Sequence, residues 1–475
     1  MDIVRTKNRR CIEILLCVLA LVPVAAWLIP RPKEAAIAGR LDYLEFLLLI
    51  ATIALAATVV ALIVAGESRR RAWLGNIVLL WLGSSSALGI AEAAAWAWPT
   101  RHLMDNPWYQ ATGEAMTAAR DLPYQRPPHL RWAGLSRGDL AMDDDELDPS
   151  ARTVTFATDS EGFRNEDGAG PSDIVFLGDS FTEAGNTPVG ETFPALVGRR
   201  TGCRIRNLGV AGFAPPTELI VLRNSGLKHM PSVVVWQVAE SNDLFDSREF
   251  SEWVKKGRPD FRGDPQDIPT RLQSWGRRSP TRRLFDLLRR PKPWPVRGTF
   301  KDASGAEHDV RFEEAFPGPE QSPAAHPGWP VMRAALHDGG QILAERKIDL
   351  VVVMIPMKFR ALAESMRFDR LPVDRPGKGR VLVDAWPAEF DLPVEQSMAY
   401  HLDEVCHEVG ATFVDTTAAL KRQAAAGELG FLPMDTHLSP AGHRLVAALI
   451  ADAIAGRGHA CKSGAPPRAE ADAGP

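Results

Sequence analysis

The sequence is poor in cysteine and has no strong excess of charge of either sign. Its 475 residues include five cysteines, and the formal net charge is −4 with 24% charged residues. No two cysteines have C-x-x-C spacing, which excludes the usual zinc motifs and a disulfide-stapled scaffold. We interpret Cys203 and Cys406 as isolated structural thiols, with a bond between them in an oxidising compartment as the alternative. The balanced charge excludes the basic footprint of a nucleic-acid-binding protein.

Nucleotide-binding motifs and internal repeats are also lacking. Neither a G-x-x-x-x-G-K-S/T loop nor a G-x-G-x-x-G turn occurs at the end of a predicted strand, so nothing supports nucleotide binding. The chain is long enough for more than one domain. Its tail, residues 461–475, has the composition of a disordered segment.

Long apolar runs are present, and all of them lie in the first hundred residues. Runs at 11–30, 43–66 and 73–98 each approach the length of about 20 apolar residues that spans a bilayer. We predict three transmembrane helices, which form a membrane anchor over residues 1–100. The third run contains Asn76 and Glu92, and its alternative interpretation is an amphipathic helix on the membrane surface.

The basic residues that flank these runs predict the orientation of the anchor. One group precedes the first run, and Arg69, Arg70 and Arg71 precede the third. Such residues stay on the cytoplasmic side, so three spans place everything after Pro99 outside. The first run is also compatible with a cleaved signal peptide, and the two remaining spans would then still place the residues after Pro99 outside. If the third run does not cross the membrane, these residues would lie on the cytoplasmic side instead.

The pattern becomes α/β from about residue 151, after a connector at 101–150 that we predict to be an exposed spacer. Strand-length apolar runs alternate with helical stretches, which predicts a mostly parallel sheet covered on both faces. The runs lie at 173–178, 203–209, 232–239, 349–356 and 411–415. In such sheets ligands bind beyond the carboxyl ends of the strands.

Candidate site residues lie in four segments near the ends of these strands. Each segment alone has a plainer interpretation, such as a turn, a helix cap or a surface histidine. Their joint occurrence, in this order, favours a shared site. The residues are Ser180, Gly212, Asn242, and Asp435 with His437.

These blocks resemble the SGNH hydrolase superfamily, also called GDSL-type esterases. The matching stretches are Gly178-Asp179-Ser180-Phe181, Asn207-Leu208-Gly209 through Gly212, Ser241-Asn242-Asp243, and Asp435-Thr436-His437-Leu438-Ser439 with Gly442 and His443. The resemblance covers residues 151–460 and implies a three-layer α/β/α, flavodoxin-like domain. The segment 158–165 is similar to one that precedes the serine in membrane-associated members.

The sequence departs from the superfamily pattern at two positions. Ser241 stands where glycine is common, and one residue instead of two separates Asp435 from His437. The shorter spacing resembles relatives that handle cell-envelope polysaccharides.

The resemblance and the chemistry assign the same roles. Ser180 is the expected nucleophile, His437 its base and Asp435 the carboxylate that orients the histidine. We expect the oxyanion hole to consist of the backbone N–H groups of Ser180 and Gly212 and the side-chain amide of Asn242. Asp179 and Asp243 are predicted to hold their loops. No metal or organic cofactor is expected.

The predicted function is a membrane-anchored serine esterase or deacetylase that acts on an envelope glycan or lipid. The first alternative is an O-acyltransferase for extracellular polysaccharide, which would need a multi-spanning partner as acyl donor. The second is a non-catalytic glycan-binding or assembly protein. The expected location is the cytoplasmic (inner) membrane of a bacterium, with the catalytic domain on the periplasmic side.

An insertion at about 246–345 is rich in arginine and tryptophan, and one of its two interpretations is a surface that binds an anionic or glycan substrate or lipid headgroups. A solvated insertion is the alternative.

Overall fold

The structure, a computed structural model, describes a large part of the second of two compact units. The first unit comprises residues 1–101 and 271–289, and the second comprises residues 102–270 and 290–475. The described ranges are 121–136, 138–141, 152–165, 170–258, 296–312, 322–368, 371–375, 379–383 and 397–458, with the single residues Asn76, Gly83, Ile90, Met116, Ala119, Glu395 and Cys461.

Apart from Asn76, Gly83 and Ile90, which are helical, the residues of the three predicted transmembrane helices fall outside the described part of the chain. Within the described residues, no helix combines the length and the apolar character that a membrane crossing requires.

A five-stranded parallel sheet forms the centre of the second unit. Its strands in chain order are β3 (Ile174–Leu177), β4 (Ile205–Asn207), β5 (Val233–Ala239), β8 (Asp349–Ile355) and β12 (Thr412–Asp415). Their spatial order is β12-β8-β5-β3-β4, and every neighbouring pair is parallel. The direction of strand addition reverses between β3 and β5, which is where doubly wound sheets open their binding crevice.

Helices cover both faces of this sheet. In chain order they are α1 (Ser180–Glu183), α2 (Phe193–Thr201), α3 (Pro215–Asn224), α4 (Asp243–Lys255), α5 (Trp329–Glu345), α6 (Lys358–Leu362), α7 (Met398–Val409), α8 (Thr417–Ala425) and α9 (Pro440–Gly456). Helices α2, α8 and α9 pack in one apolar core, and α3, α5 and α7 pack in the other.

The sequence explains the two cores through the alternation of side chains along each strand. Phe176 and Val235 point into the core that contains α2 and α9, whereas Val175 and Trp236 point into the core that contains α3 and α5. Because both faces are buried, the strands are apolar at nearly every position. This confirms the predicted α/β class and its parallel sheet.

Smaller elements surround the sheet. Strands β1 (Arg131–Leu135) and β2 (Thr153–Ala157) form an antiparallel pair, as do β10 (Leu371–Arg375) and β11 (Gly379–Val383). Strands β6 (Val296–Lys301), β7 (Glu307–Phe312) and β9 (Met366–Arg367) form a three-stranded antiparallel sheet in the order β7-β6-β9. The predicted insertion therefore contains α4, the β6–β7 hairpin and α5 among its described residues.

A disulfide joins Cys203, just before β4, to Cys461, beyond α9. The interpretation of Cys203 as an isolated thiol is therefore wrong, and its partner is not Cys406, which is a buried free thiol as predicted. The bond spans 258 positions of the chain, so it ties the end of the last helix to the edge of the sheet.

Candidate active site

Ser180 begins α1 directly after β3, at the carboxyl edge of the sheet. Gly178 makes this turn with φ of 154°, and a Cβ there would collide with the Thr182 hydroxyl and the Gln237 side chain. Asp179 caps the helix, because its Oδ1 accepts the Phe181 N–H at 2.9 Å. The turn thus fixes the position from which the serine hydroxyl leaves the backbone.

Ser180, His437 and Asp435 form one hydrogen-bonded chain. The Ser180 Oγ lies 2.8 Å from His437 Nε2, and His437 Nδ1 lies 2.6 Å from Asp435 Oδ1. The same carboxylate oxygen accepts the backbone N–H of His437 at 2.9 Å. The one-residue spacing therefore lets Asp435 hold both the imidazole and its backbone. The structure places these three predicted residues within reach of one another across 257 positions of sequence.

Within this hydrogen-bonded triad, the charged forms of Asp435 and His437 stabilise one another. Burial would raise the pKa of Asp435, but His437 and its hydrogen bonds lower this pKa to about 2. Burial would lower the pKa of His437, but Asp435, Asp139 and Asp179 raise it to about 9. The arrangement thus favours a carboxylate facing an imidazolium, and His437 must lose its proton before it can accept one from Ser180.

The backbone N–H groups of Ser180 and Gly212 are the two predicted backbone donors of the oxyanion hole. Among the described residues, neither the Ser180 N–H nor the Gly212 N–H donates to an acceptor. Gly212 has φ of 77°, and a Cβ there would collide with the Tyr124 hydroxyl. Glycine is therefore required at this position for both the backbone conformation and the space.

Asn242 lies at the same edge, but its amide is engaged. Its Nδ2 donates to Asp179 Oδ2 at 3.1 Å and to Asp246 Oδ2 at 2.8 Å. The Ser241 hydroxyl donates to Asn242 Oδ1 at 2.9 Å, so the serine that replaces glycine helps to orient the amide. To act as the third oxyanion donor, the Asn242 amide would have to give up its hydrogen bond to one of these carboxylates and donate to the substrate oxygen instead.

Asp246 is the carboxylate better suited to that exchange. Burial is the main cause that raises its pKa, which reaches about 7. Asp179 is also the helix cap, and Asp243 accepts the Ala239 N–H at 2.9 Å, which agrees with the predicted structural roles of these two residues.

Lys358, at the start of α6, lies beneath the loop that carries Asp435 and His437. Its buried ammonium nitrogen lies 2.7 to 3.0 Å from four carbonyl oxygens that share its three N–H donors, those of Arg311, Leu432, Pro433 and Asp435. No motif marks this residue in the sequence, because its partners are backbone carbonyls, which every residue has.

The segment 158–165 supports the loops on the other side of the serine. The Asn165 amide donates to the Asn207 carbonyl at 2.8 Å and accepts the Asn207 N–H at 2.9 Å. Asn207 in turn donates to the Thr182 carbonyl at 2.7 Å. His443, from the last matching block, accepts the Phe193 N–H through Nδ1 at 3.2 Å. These residues hold the framework and do not approach Ser180 through any described contact.

The connector also contributes to the site, unlike the exposed spacer expected for it. Arg126 is 3% exposed and forms two 2.9 Å bonds to the Glu183 carboxylate at the end of α1. The Tyr124 hydroxyl donates to the Ala211 carbonyl at 2.9 Å, beside Gly212. No motif marks these residues in the sequence.

Asp139, from the same connector, lies next to the histidine. Its carboxylate, that of Asp435 and the His437 imidazole have ligand atoms within 4.8 Å of one another, a spacing that suits a metal ion. A cation there would occupy the nitrogen that Asp435 orients, so the hydrogen-bonded chain and a metal site exclude each other.

Comparison with known proteins identifies one family over part of the chain. The family described as "SGNH hydrolase-like domain, acetyltransferase AlgX" matches residues 370–471, which include Asp435 and His437 but not Ser180. No curated protein matches the chain.

Solved structures that match the chain include a catalytic mutant of Axe2, an acetylxylan esterase from Geobacillus stearothermophilus. It is 12% identical with a TM-score of 0.31, over 59% of this chain and 94% of that one. Another is TesA, 11% identical with a TM-score of 0.29, over 59% of this chain and 97% of that one. The family match confirms the resemblance predicted from the motifs: the chain carries an SGNH hydrolase-like domain.

Proposed function

We propose that the chain is a serine acyl hydrolase, an esterase or deacetylase that works through an acyl-enzyme on Ser180. The observation that carries this proposal is the continuous chain from Ser180 Oγ through His437 to Asp435, with contacts of 2.8 and 2.6 Å. A serine hydroxyl needs an adjacent base to act as a nucleophile, and the base needs an acceptor that stabilises its charged form.

The first half of the proposed reaction forms the acyl-enzyme. Ser180 Oγ attacks the ester carbonyl while its proton passes to His437 Nε2. The negative oxygen of the tetrahedral intermediate accepts hydrogen bonds from the N–H groups of Ser180 and Gly212 and, after release from Asp246, from Asn242. His437 then returns the proton to the departing alcohol, and the acyl group remains on Ser180.

The second half depends on the acceptor. Water, deprotonated by His437, attacks the acyl carbonyl, and the acid leaves as Ser180 recovers its proton. A sugar hydroxyl in the same place would receive the acyl group instead. The triad and oxyanion hole serve both outcomes equally, so the difference lies in which acceptor the surrounding surface binds.

O-acyl transfer to a glycan is the second candidate function, and the family match favours it. The matched family is named after the acetyltransferase AlgX, and the match includes Asp435 and His437 with their one-residue spacing. Such a reaction outside the membrane needs an acyl donor there, for which we propose a multi-spanning partner.

We also propose that the chain is anchored in a membrane and that its second unit faces an oxidising compartment. The anchor rests on the three apolar runs in residues 1–100. The disulfide between Cys203 and Cys461 supports the compartment, because such bonds persist outside the cytosol.

The proposal is tested by hydrolysis of short-chain p-nitrophenyl esters by the full chain, with Ser180→Ala as the inactive variant. Ser304→Ala, an exposed serine in the β6–β7 turn, is the matched control. We expect hydrolysis by wild type and Ser304→Ala, and none above background by Ser180→Ala.

Hydrolysis by all three proteins would reject Ser180 as the nucleophile. Inactivity of the folded wild type, together with failure of a fluorophosphonate to label Ser180, would favour the non-catalytic binding or assembly protein. Addition of acetylated and unacetylated oligosaccharides, followed by mass spectrometry, separates release of acid from transfer to sugar.

A further inference from the structure

The connector places a second carboxylate beside the candidate catalytic histidine. Asp139 Oδ2 lies 3.7 Å from His437 Nδ1, the nitrogen that Asp435 Oδ1 approaches at 2.6 Å. The two acidic residues are nearly 300 positions apart in the sequence and reach the imidazole from different segments. Nothing in the mechanism above uses Asp139.

Asp139 is bonded to the residue between the two triad members. Its Oδ1 accepts the Thr436 N–H at 2.9 Å, and its Oδ2 accepts the Thr436 hydroxyl. The Thr436 hydroxyl oxygen is itself 3.3 Å from His437 Nδ1. Asp139 therefore holds both the backbone and the side chain of Thr436, the residue between Asp435 and His437, from outside their loop.

The turn that carries Asp139 is itself anchored to that loop. The Leu140 N–H donates to the Met434 carbonyl at 3.1 Å, and Leu140 is 4% exposed. The carboxylate is thus supported by packing, which distinguishes it from a surface acid that meets the histidine by chance.

The charges around His437 come from several elements. Asp435 lies on its own loop, Asp139 on the connector and Asp179 at the start of α1, and all three act to stabilise the imidazolium. His443 on α9 interacts with His437, and its own pKa is lowered to about 3 by burial, His437 and Arg164, so it stays neutral near pH 7. Burial and repulsion from Asp435 raise the pKa of Asp139 to about 6, so Asp139 is ionised where a base is needed.

We propose that Asp139 is a positioning residue for the reaction: a second carboxylate partner of His437 that holds Thr436 in place and increases the basicity of the imidazole. This inference rests on the proposed function of the hydrogen-bonded triad of Ser180, His437 and Asp435. It also makes the connector part of the active site, so that residues before 151 are needed for full activity.

The test compares Asp139→Asn with Asp139→Glu in the full chain, and uses Asp338→Asn as the matched control. Asp338 lies on α5 with a side chain 56% exposed and bonds only weakly to Arg223 at 3.8 Å. Two readouts are taken: the pH profile of ester hydrolysis, and the titration of the His437 signal by NMR in protein with labelled histidine. His437→Gln assigns that signal.

We expect Asp139→Asn to move the acid limb of the profile and the His437 titration to lower pH by about one unit, because one nearby negative charge is lost. The plateau rate should fall about tenfold, since the imidazolium loses part of its stabilisation. Asp139→Glu should keep the wild-type inflection, and Asp338→Asn should match wild type in both readouts.

An unchanged His437 titration in folded Asp139→Asn would overturn the proposal, even if its rate were lower, because a merely structural role would not move the titration. If wild type hydrolyses no ester, the proposed function fails, while the NMR titration still decides whether Asp139 acts on His437.

Discussion

At the scale of the residue, the behaviour of His437 decides when the site can react. Its contact of 2.6 Å with Asp435 and the nearby Asp139 hold its pKa at about 9, although burial opposes this. A base with a raised pKa is protonated at neutral pH and becomes active as pH rises.

We therefore predict that kcat/KM for ester hydrolysis increases with pH through an inflection well above 6.5, towards 9. The inflection belongs to the coupled pair of His437 and Asp435 and not to one group. A pH-rate profile from pH 5 to 10, in buffers of constant ionic strength, measures it. An inflection at or below 6.5 would show that the carboxylates do not act on the imidazole.

Gly212 offers a second prediction at this scale. Gly212→Ala should lower kcat by about 100-fold to 1000-fold, because the displaced N–H no longer stabilises the oxyanion. The matched control is Gly202→Ala, which has a similar positive φ of 68° but nothing within 4 Å of the added Cβ. Equal loss of activity in both variants would mean that backbone strain alone, and not the site at Gly212, is responsible.

At the scale of the element, the loop between residues 432 and 438 depends on α6. Lys358, the first residue of α6, supplies hydrogen-bond donors to buried carbonyl oxygens of this loop, including those of Leu432 and Asp435. A buried polar group without a partner costs about 1 to 3 kcal/mol.

We predict that Lys358→Met lowers the free energy of unfolding by at least about 1 to 3 kcal/mol and also reduces kcat, because the Asp435 carbonyl loses its donor. Lys421→Met is the control, since Lys421 lies on α8 and pairs with Glu364 at the surface. Urea unfolding and ester hydrolysis measure the two effects. A Lys358→Met protein with wild-type stability and rate would refute this role.

At the scale of the whole molecule, the disulfide links distant parts of the second unit. Cys461→Ser should lower the free energy of unfolding by about 2 to 4 kcal/mol, because the unfolded chain gains freedom. Peptide mapping without reduction should recover Cys203 bonded to Cys461, with Cys406 free. Recovery of a Cys203–Cys406 peptide, or of free Cys203 and Cys461 from protein produced in an oxidising compartment, would contradict the structure.

The sequence predicted those features that depend on neighbouring residues. Five apolar runs became the five strands because burial on both faces requires apolar side chains at nearly every position. The motifs located Ser180, Asn242, Asp435 and His437 at the sheet edge because the turns of such a candidate site need particular residue types. The predicted transmembrane helices lie almost wholly outside the described residues and stay predictions.

Features that depend on distant contacts were not predictable. Asp139 and Thr436 meet across 297 positions, and an aspartate in a polar connector has no signal that names its partner. Lys358 binds backbone carbonyls, which every residue has. Cys461 lies in a tail of disordered composition, so only the folded chain shows that it reaches Cys203.

The most direct test of the central claim is to trap the acyl-enzyme. The full chain is mixed with p-nitrophenyl acetate, quenched with acid within milliseconds, digested and examined by mass spectrometry, with heat-denatured protein as the control for nonspecific acetylation. The account predicts an acetyl group on Ser180 of the native chain, absent from Ser180→Ala and from the denatured control. Ester turnover by native protein without acetyl-Ser180, or with acetylation equal to that of the denatured protein, would contradict it.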